Sequence, residues 1–275
     1  MLTSLIALLV ACTGEPKPVE APDPEPAADA NPEVPPVTTD DLQQTNEKVA
    51  LVPSPMETQR ALEASGIQTQ LATLIPKHDF DMASGDTDQA AIRTGVVLAD
   101  LLLTTKGASK PEIVSRLNDI ATGMDQLGGG ADIQATLKDF VERVQTDAVS
   151  RDELLKEFDE LSGVMIPELE FNGQDRIVPL IEAGSWLEGA NLVARAIKAA
   201  PDRSAAERLL KAPSVVDYFI KYVREEGADK APPAVTKKLK EALLTLKGLA
   251  EKTEPLTDED IDTVIRVTDD VLALM

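Results

Sequence analysis

Residues able to do chemistry are few in this chain of 275 residues and lie far apart. The one histidine, His78, sits in Pro76-Lys77-His78-Asp79-Phe80-Asp81-Met82-Ala83-Ser84-Gly85-Asp86-Thr87-Asp88 together with four aspartates. Oxygen-rich loops of this kind hold Ca²⁺ when the spacing is right. Here it is not. Counted from Asp79, glycine falls at the seventh position (Gly85) rather than the sixth, and Ala90 stands where a bidentate glutamate belongs. The loop reads as a surface connection whose Asp86 or Asp88 caps the next helix, and no metal ligand is expected. Nucleophilic catalysis needs a base beside the nucleophile, and the lone histidine has no companion motif. G-x-S-x-G, the P-loop, the dinucleotide fingerprint, H-E-x-x-H and C-x-x-C are all missing. The expectation is no catalytic residue, no cofactor and no enzyme.

Three of the eight aromatic residues fall in Val215–Val223. On a helix, Val216, Phe219, Ile220 and Val223 form a core stripe, and Tyr218 and Tyr222 lie on its margin. Packing with the hydroxyls near water is the plainer reading. The sharper one makes Trp186, Tyr218 and Tyr222 the candidate partner-contact residues. Lys237, Lys238 and Lys240 cluster near a helix start, which reads as a solvated face. Asp258, Glu259, Asp260 and Asp262 open a helix whose dipole favours them, so they require no catalytic dyad.

The elements that position these residues are helices. Ser54-Pro55-Met56-Glu57 is a capping box with proline at the first helical position, and its helix is predicted to reach Ile75. Further helices are predicted over 88–106, from Ser109 to Gly128 and from Asp132 as cap through Val144. Another opens at the Ser150–Glu153 capping box. The stretch 163–175 breaks the rhythm and is the candidate seam between two lobes; Val164–Phe171 is the one segment with some strand character. A helix over about 176–200 is rich in Ala183, Gly184, Gly189, Ala190 and Ala194, small residues that let backbones approach, so it should be central. Asp202 caps a short helix, Pro213 and Pro233 each begin one, and Thr257 caps the last. The fold class is all-α, an irregular bundle of roughly nine or ten helices.

The chain's only cysteine, Cys12, closes the apolar run Leu5-Ile6-Ala7-Leu8-Leu9-Val10-Ala11. That run is long enough for a signal h-region and too short to span a bilayer. Leu9-Val10-Ala11-Cys12 resembles the lipobox of bacterial lipoproteins, although Met1–Ser4 carries no Lys or Arg. The resemblance covers residues 1–12 only. It implies a signal peptide over 1–11, removal of that peptide, and lipid on Cys12 as the membrane anchor. In such proteins residue 13 influences sorting, and Thr13 in place of Asp implies an outer membrane facing the periplasm in a cell with two membranes.

Residues 13–41 hold eight prolines, and eight acids against Lys17 alone. Proline removes donors, large apolar residues are almost absent, and like charges repel. Residues 12–53 are therefore expected to form a disordered tether, with the all-α domain at 54–275. The net charge of −21 sets the chain against nucleic-acid phosphates and anionic lipid, so nucleic acid is not an expected partner. The sequence reading is a non-enzymatic envelope lipoprotein with a helical interaction or scaffold domain and an envelope protein partner. The alternative is a helical module binding a small molecule or lipid, which would need an apolar pocket beside the 176–200 helix.

Overall fold

The computed structural model describes residues 54–275 apart from 68–70, 77, 79, 84, 175, 202–208 and 226–232. Cys12, the tether and the Asp202 cap lie outside the described residues. The described chain is all-helical: α1 Pro55–Ala64, α2 Thr87–Thr104, α3 Lys110–Gln126, α4 Ala131–Gln145, α5 Arg151–Phe171, α6 Val178–Ala199, α7 Pro213–Glu225, α8 Pro233–Ala250 and α9 Asp258–Leu272, with a 3-10 turn at Leu71–Thr73. No described helix is long and apolar enough to cross a membrane.

Short-range chemistry sets most of the starts. The Ser54 hydroxyl accepts from Glu57 N at 3.2 Å while Glu57 Oε2 accepts from Ser54 N at 2.8 Å. Ser150 with Glu153 and Thr257 with Asp260 repeat this reciprocal bonding, which satisfies amides the helix itself cannot. Other boundaries move from their expected places. α1 stops at Ser65, well before Ile75, because Gly66 takes φ +71° and Ile67 N returns to Leu62 O at 3.1 Å, a left-handed helix stop. Gly130, not Asp132, is the N-cap of α4; Asp132 sits in its first turn. Residues 163–171 form neither strand nor break: α5 runs through Pro167 and ends only at Asn172, with Gly173 at φ +74°. Met165 and Leu169, both buried, hold that last stretch to the core and outweigh the bond proline removes.

The architecture centres on α2 and α6. Each is apolar around most of its circumference, the pattern of a helix enclosed on all sides, and α2 is buried without interruption except at Gln89 from Asp88 to Thr104. Their crossing is backbone on backbone. A methyl group on Gly95 would fall 2.0 Å from Ile181 O, and one on Gly184 would fall 2.1 Å from Ile92 O. Only glycine fits at either position. Around this pair, α3 packs on α2 and carries α4, α9 packs on α6, α8 joins α9 to α7, and α1 lies across both central helices. The prediction of a central small-residue helix holds, and the chain has a second one, α2, which supplies the matching glycine.

Candidate functional site: a buried histidine and two carboxylates

The close crossing brings together side chains that are far apart in sequence. Five residues beyond Gly95, Asp100 points into the interior; four beyond Gly184, Glu188 does the same. His78 reaches them from the loop before α2. One donor atom from each of His78, Asp100 and Glu188 lies within 4.8 Å of the others. His78 Nε2 and Glu188 Oε2 are 3.2 Å apart, and the imidazole lies flat on Phe80 with centroids 4.9 Å apart. Glu188 is fully buried, Asp100 is 4 % exposed and the His78 side chain 11 %. The cluster is thus closed on the helix side and reached from the loop side.

Its electrostatics are unfavourable as an empty cluster of charges. Burial, and then Glu188, push the Asp100 carboxyl well above the usual carboxylate range. Burial likewise raises Glu188, and it lowers His78 although Asp100 and Asp269 pull the other way. With both carboxylates ionised, Asp100 Oδ1 and Glu188 Oε1 have no hydrogen-bond donor. Neighbouring polar groups are occupied elsewhere. Thr104 Oγ1 donates to Asp100 O at 2.5 Å and accepts from Arg116 Nη1 at 3.0 Å. Asn191 and Arg195, on the next turns of α6, hold Asp269 of α9 with bonds of 2.7–2.8 Å. An orphaned buried carboxylate oxygen costs several kcal/mol at the order-of-magnitude level unless a proton or a cation answers it. Chemically, the cluster can share a proton between two carboxyls or hold a cation through one nitrogen and two oxygens.

The sequence pointed at one of the three residues for a different reason. His78 drew attention through its loop aspartates, but the fold disperses these. Asp86 caps α2 by accepting from Gln89 N at 2.8 Å, as expected, and Asp81 accepts from Ala83 N at 3.1 Å. Asp88 pairs with Arg176 at 2.6 Å, and Asp79 lies outside the described residues. Asp100 and Glu188 were missed. The only local signal was an acid in the middle of each of the two most apolar helices.

The aromatic residues form a second cluster, around α6 and α7. Trp186 and Tyr218 each pack on Phe219, with centroids 5.3 and 5.1 Å apart. Tyr218 Oη donates to Glu182 Oε2 at 3.3 Å and Tyr222 Oη to Arg176 O at 2.6 Å. Trp186, Tyr218 and Tyr222 are all partly buried against the core, so they fasten α7 to α6 rather than stand out as a patch. Beside them is an apolar cavity lined by Trp186, Val193, Val216, Leu246 and Val264, of about 60 Å³. Small-molecule pockets run to roughly 300–1,000 Å³. A wider open cleft, about 630 Å³, lies between α1, the 3-10 turn and the end of α2, with Ile67 and Leu71 in its lining. Lys238, of the basic cluster, faces Glu241 and Asp270 at 3.9–4.0 Å.

The large apolar side chains most exposed among the described residues are on α5 and α8. Phe171 is 91 % exposed and Val164 57 %, and with Pro167 they follow a three-four spacing along one face of α5. Leu244 of α8 is 53 % exposed and stands apart from them in sequence. Comparison with protein-family models, curated proteins and solved structures gives no match.

Proposed function

We propose that this chain is a lipid-anchored protein of the bacterial cell envelope whose helical domain binds another envelope protein and catalyses no reaction. The anchor rests on Leu9–Cys12 and on the proline- and acid-rich stretch that follows. The interaction role is carried by the Val164–Pro167–Phe171 face of α5, a strip of exposed apolar side chains on one helix face whose burial against a partner would be favourable. This moves the contact away from Trp186, Tyr218 and Tyr222, whose surfaces are largely used inside the domain. A small-molecule or lipid-binding role gains little from the cavity beside α6, which at about 60 Å³ is well below the size of small-molecule pockets.

Two experiments test the parts separately. Metabolic labelling with a fatty acid, followed by membrane fractionation, should show lipid on the wild-type chain and none on Cys12→Ala, which should leave the membrane fraction. Equal labelling of both would remove the anchor. Site-specific photo-crosslinking from position 171 in intact cells should give a discrete adduct that is lost when Val164 is replaced by Asp. No adduct from 171, or one unaffected by Val164→Asp, would remove the proposed contact face.

A further inference from the structure

We propose that His78, Asp100 and Glu188 together bind one first-row divalent transition cation, for which Zn²⁺ is the probe. The site is independent of the interaction role and of the lipid anchor, and stands or falls apart from them.

Geometry comes first. Ions of this class sit about 2.0–2.2 Å from nitrogen and oxygen ligands. Donors around one such ion are therefore no more than about 4.4 Å apart, and about 3.4 Å apart along a tetrahedral edge. The separation of 3.2 Å between His78 Nε2 and Glu188 Oε2 is close to that edge, and the whole set spans no more than 4.8 Å. Small rotations of flexible carboxylate side chains close the difference. The backbones need not move, because Asp100 and Glu188 stand on the two helices locked at the Gly95–Gly184 crossing.

Charge and donor type give the second argument. Two ionised carboxylates in a dry interior carry two negative charges, and one divalent ion, displacing the proton that burial otherwise holds on them, balances these charges. It also gives Asp100 Oδ1 and Glu188 Oε1, which lack any donor, something to face. These orphaned oxygens belong to side chains 4 % and 0 % exposed, so water is a poor substitute. An all-oxygen set would suit Mg²⁺ or Ca²⁺; the imidazole shifts preference toward Zn²⁺, Mn²⁺ or Fe²⁺. On binding, the cation takes the place of any proton on Nε2. Three protein donors leave a further coordination position for water. The competing arrangement is a proton shared between the two carboxyls with no cation, and it makes opposite predictions.

The test uses the full-length chain, stripped with chelator and titrated with Zn²⁺ by calorimetry in millimolar Mg²⁺, which saturates weak surface carboxylates. One Zn²⁺ per chain and a raised melting temperature are expected. His78→Ala and Asp100→Asn should each weaken binding by more than about 100-fold, removal of a ligand costing at least as much as loss of an outer-shell partner. Asp152→Asn, an exposed acid elsewhere, should bind as wild type. Circular dichroism of the metal-free variants checks folding, and Asp100→Asn, which removes a buried charge, should melt no lower than metal-free wild type. If Asp100→Asn fails to fold, Glu188→Gln takes its place in the same assay. Co²⁺ gives a second readout: visible d–d bands in wild type that vanish in His78→Ala. Absence of Zn²⁺ heat and of any melting shift would overturn the site in favour of the shared proton, as would binding that survives in the variants.

Discussion

Glu182 and Tyr218 illustrate how single side chains here trade burial against charge. Tyr218 donates to the Glu182 carboxylate, yet burial wins and pushes the Glu182 carboxyl up to about 6, from an ordinary 4.5. The folded chain therefore holds that proton more tightly than the unfolded chain does. Its contribution to stability is fully present below about pH 4.5 and declines as the pH rises to about 6, by roughly 2 kcal/mol in total. Glu182→Gln, neutral throughout, should abolish this decline. Thermal melts at pH 4 and pH 7.5 should show wild type losing more stability than the variant over that interval, and parallel losses would contradict the assignment. Asp260 behaves in the opposite sense. Its bond to Lys252 at 2.6 Å and its capping bonds to Thr257 hold its carboxyl down at about 2, from an ordinary 3.8, so its contribution is fully present above about pH 3.8 and is lost as the pH falls from there through about 2.

At the scale of elements, the molecule depends on one crossing and several caps. Gly95→Ala would drive a methyl group to 2.0 Å from the carbonyl oxygen of Ile181, a clash with backbone that only a shift of the two helices can relieve. A loss of about 3 kcal/mol is expected by urea denaturation, with separation of α2 from α6 as the mechanism. Gly189→Ala is the informative contrast. It lies on the same helix α6, but an added methyl group there meets nothing within 4 Å. The helix propensity of alanine should raise stability by about 0.5–1 kcal/mol. Similar effects at the two positions would show that the crossing is not as tight as described. Thr257→Ala removes the hydroxyl that accepts from Asp260 N and should cost about 1 kcal/mol, checked in the same assay. These elements also show what local signals could reveal. The capping boxes at Ser54 and Ser150 and the cap at Thr257 were legible because a cap acts within four residues. The continuation of α5 through Gly163 and Pro167 was not, because it depends on burial of Met165 and Leu169 against distant elements.

For the whole molecule, two kinds of information remain distinct. The lipobox-like run and the acidic, proline-rich stretch are linear features, readable from the order of neighbouring residues alone. The all-α class was legible for a related reason: helical periodicity and stop signals repeat along the chain. That α6 would be central followed from its small residues; that α2 is central too, and that Gly95 matters, became clear only once Gly184 lay against it. The candidate site was not legible at all as a site. His78, Asp100 and Glu188 are separated by long stretches of chain, and no spacing rule connects a loop with two helices that meet by tertiary packing. The same holds for Phe171, whose exposure depends on what fails to cover it. Sequence alone determined the helical class and most of the caps, since these arise from interactions between near neighbours. Tertiary structure decided which polar groups share a dry interior and which apolar face is left in water, since both depend on how helices distant in sequence cross.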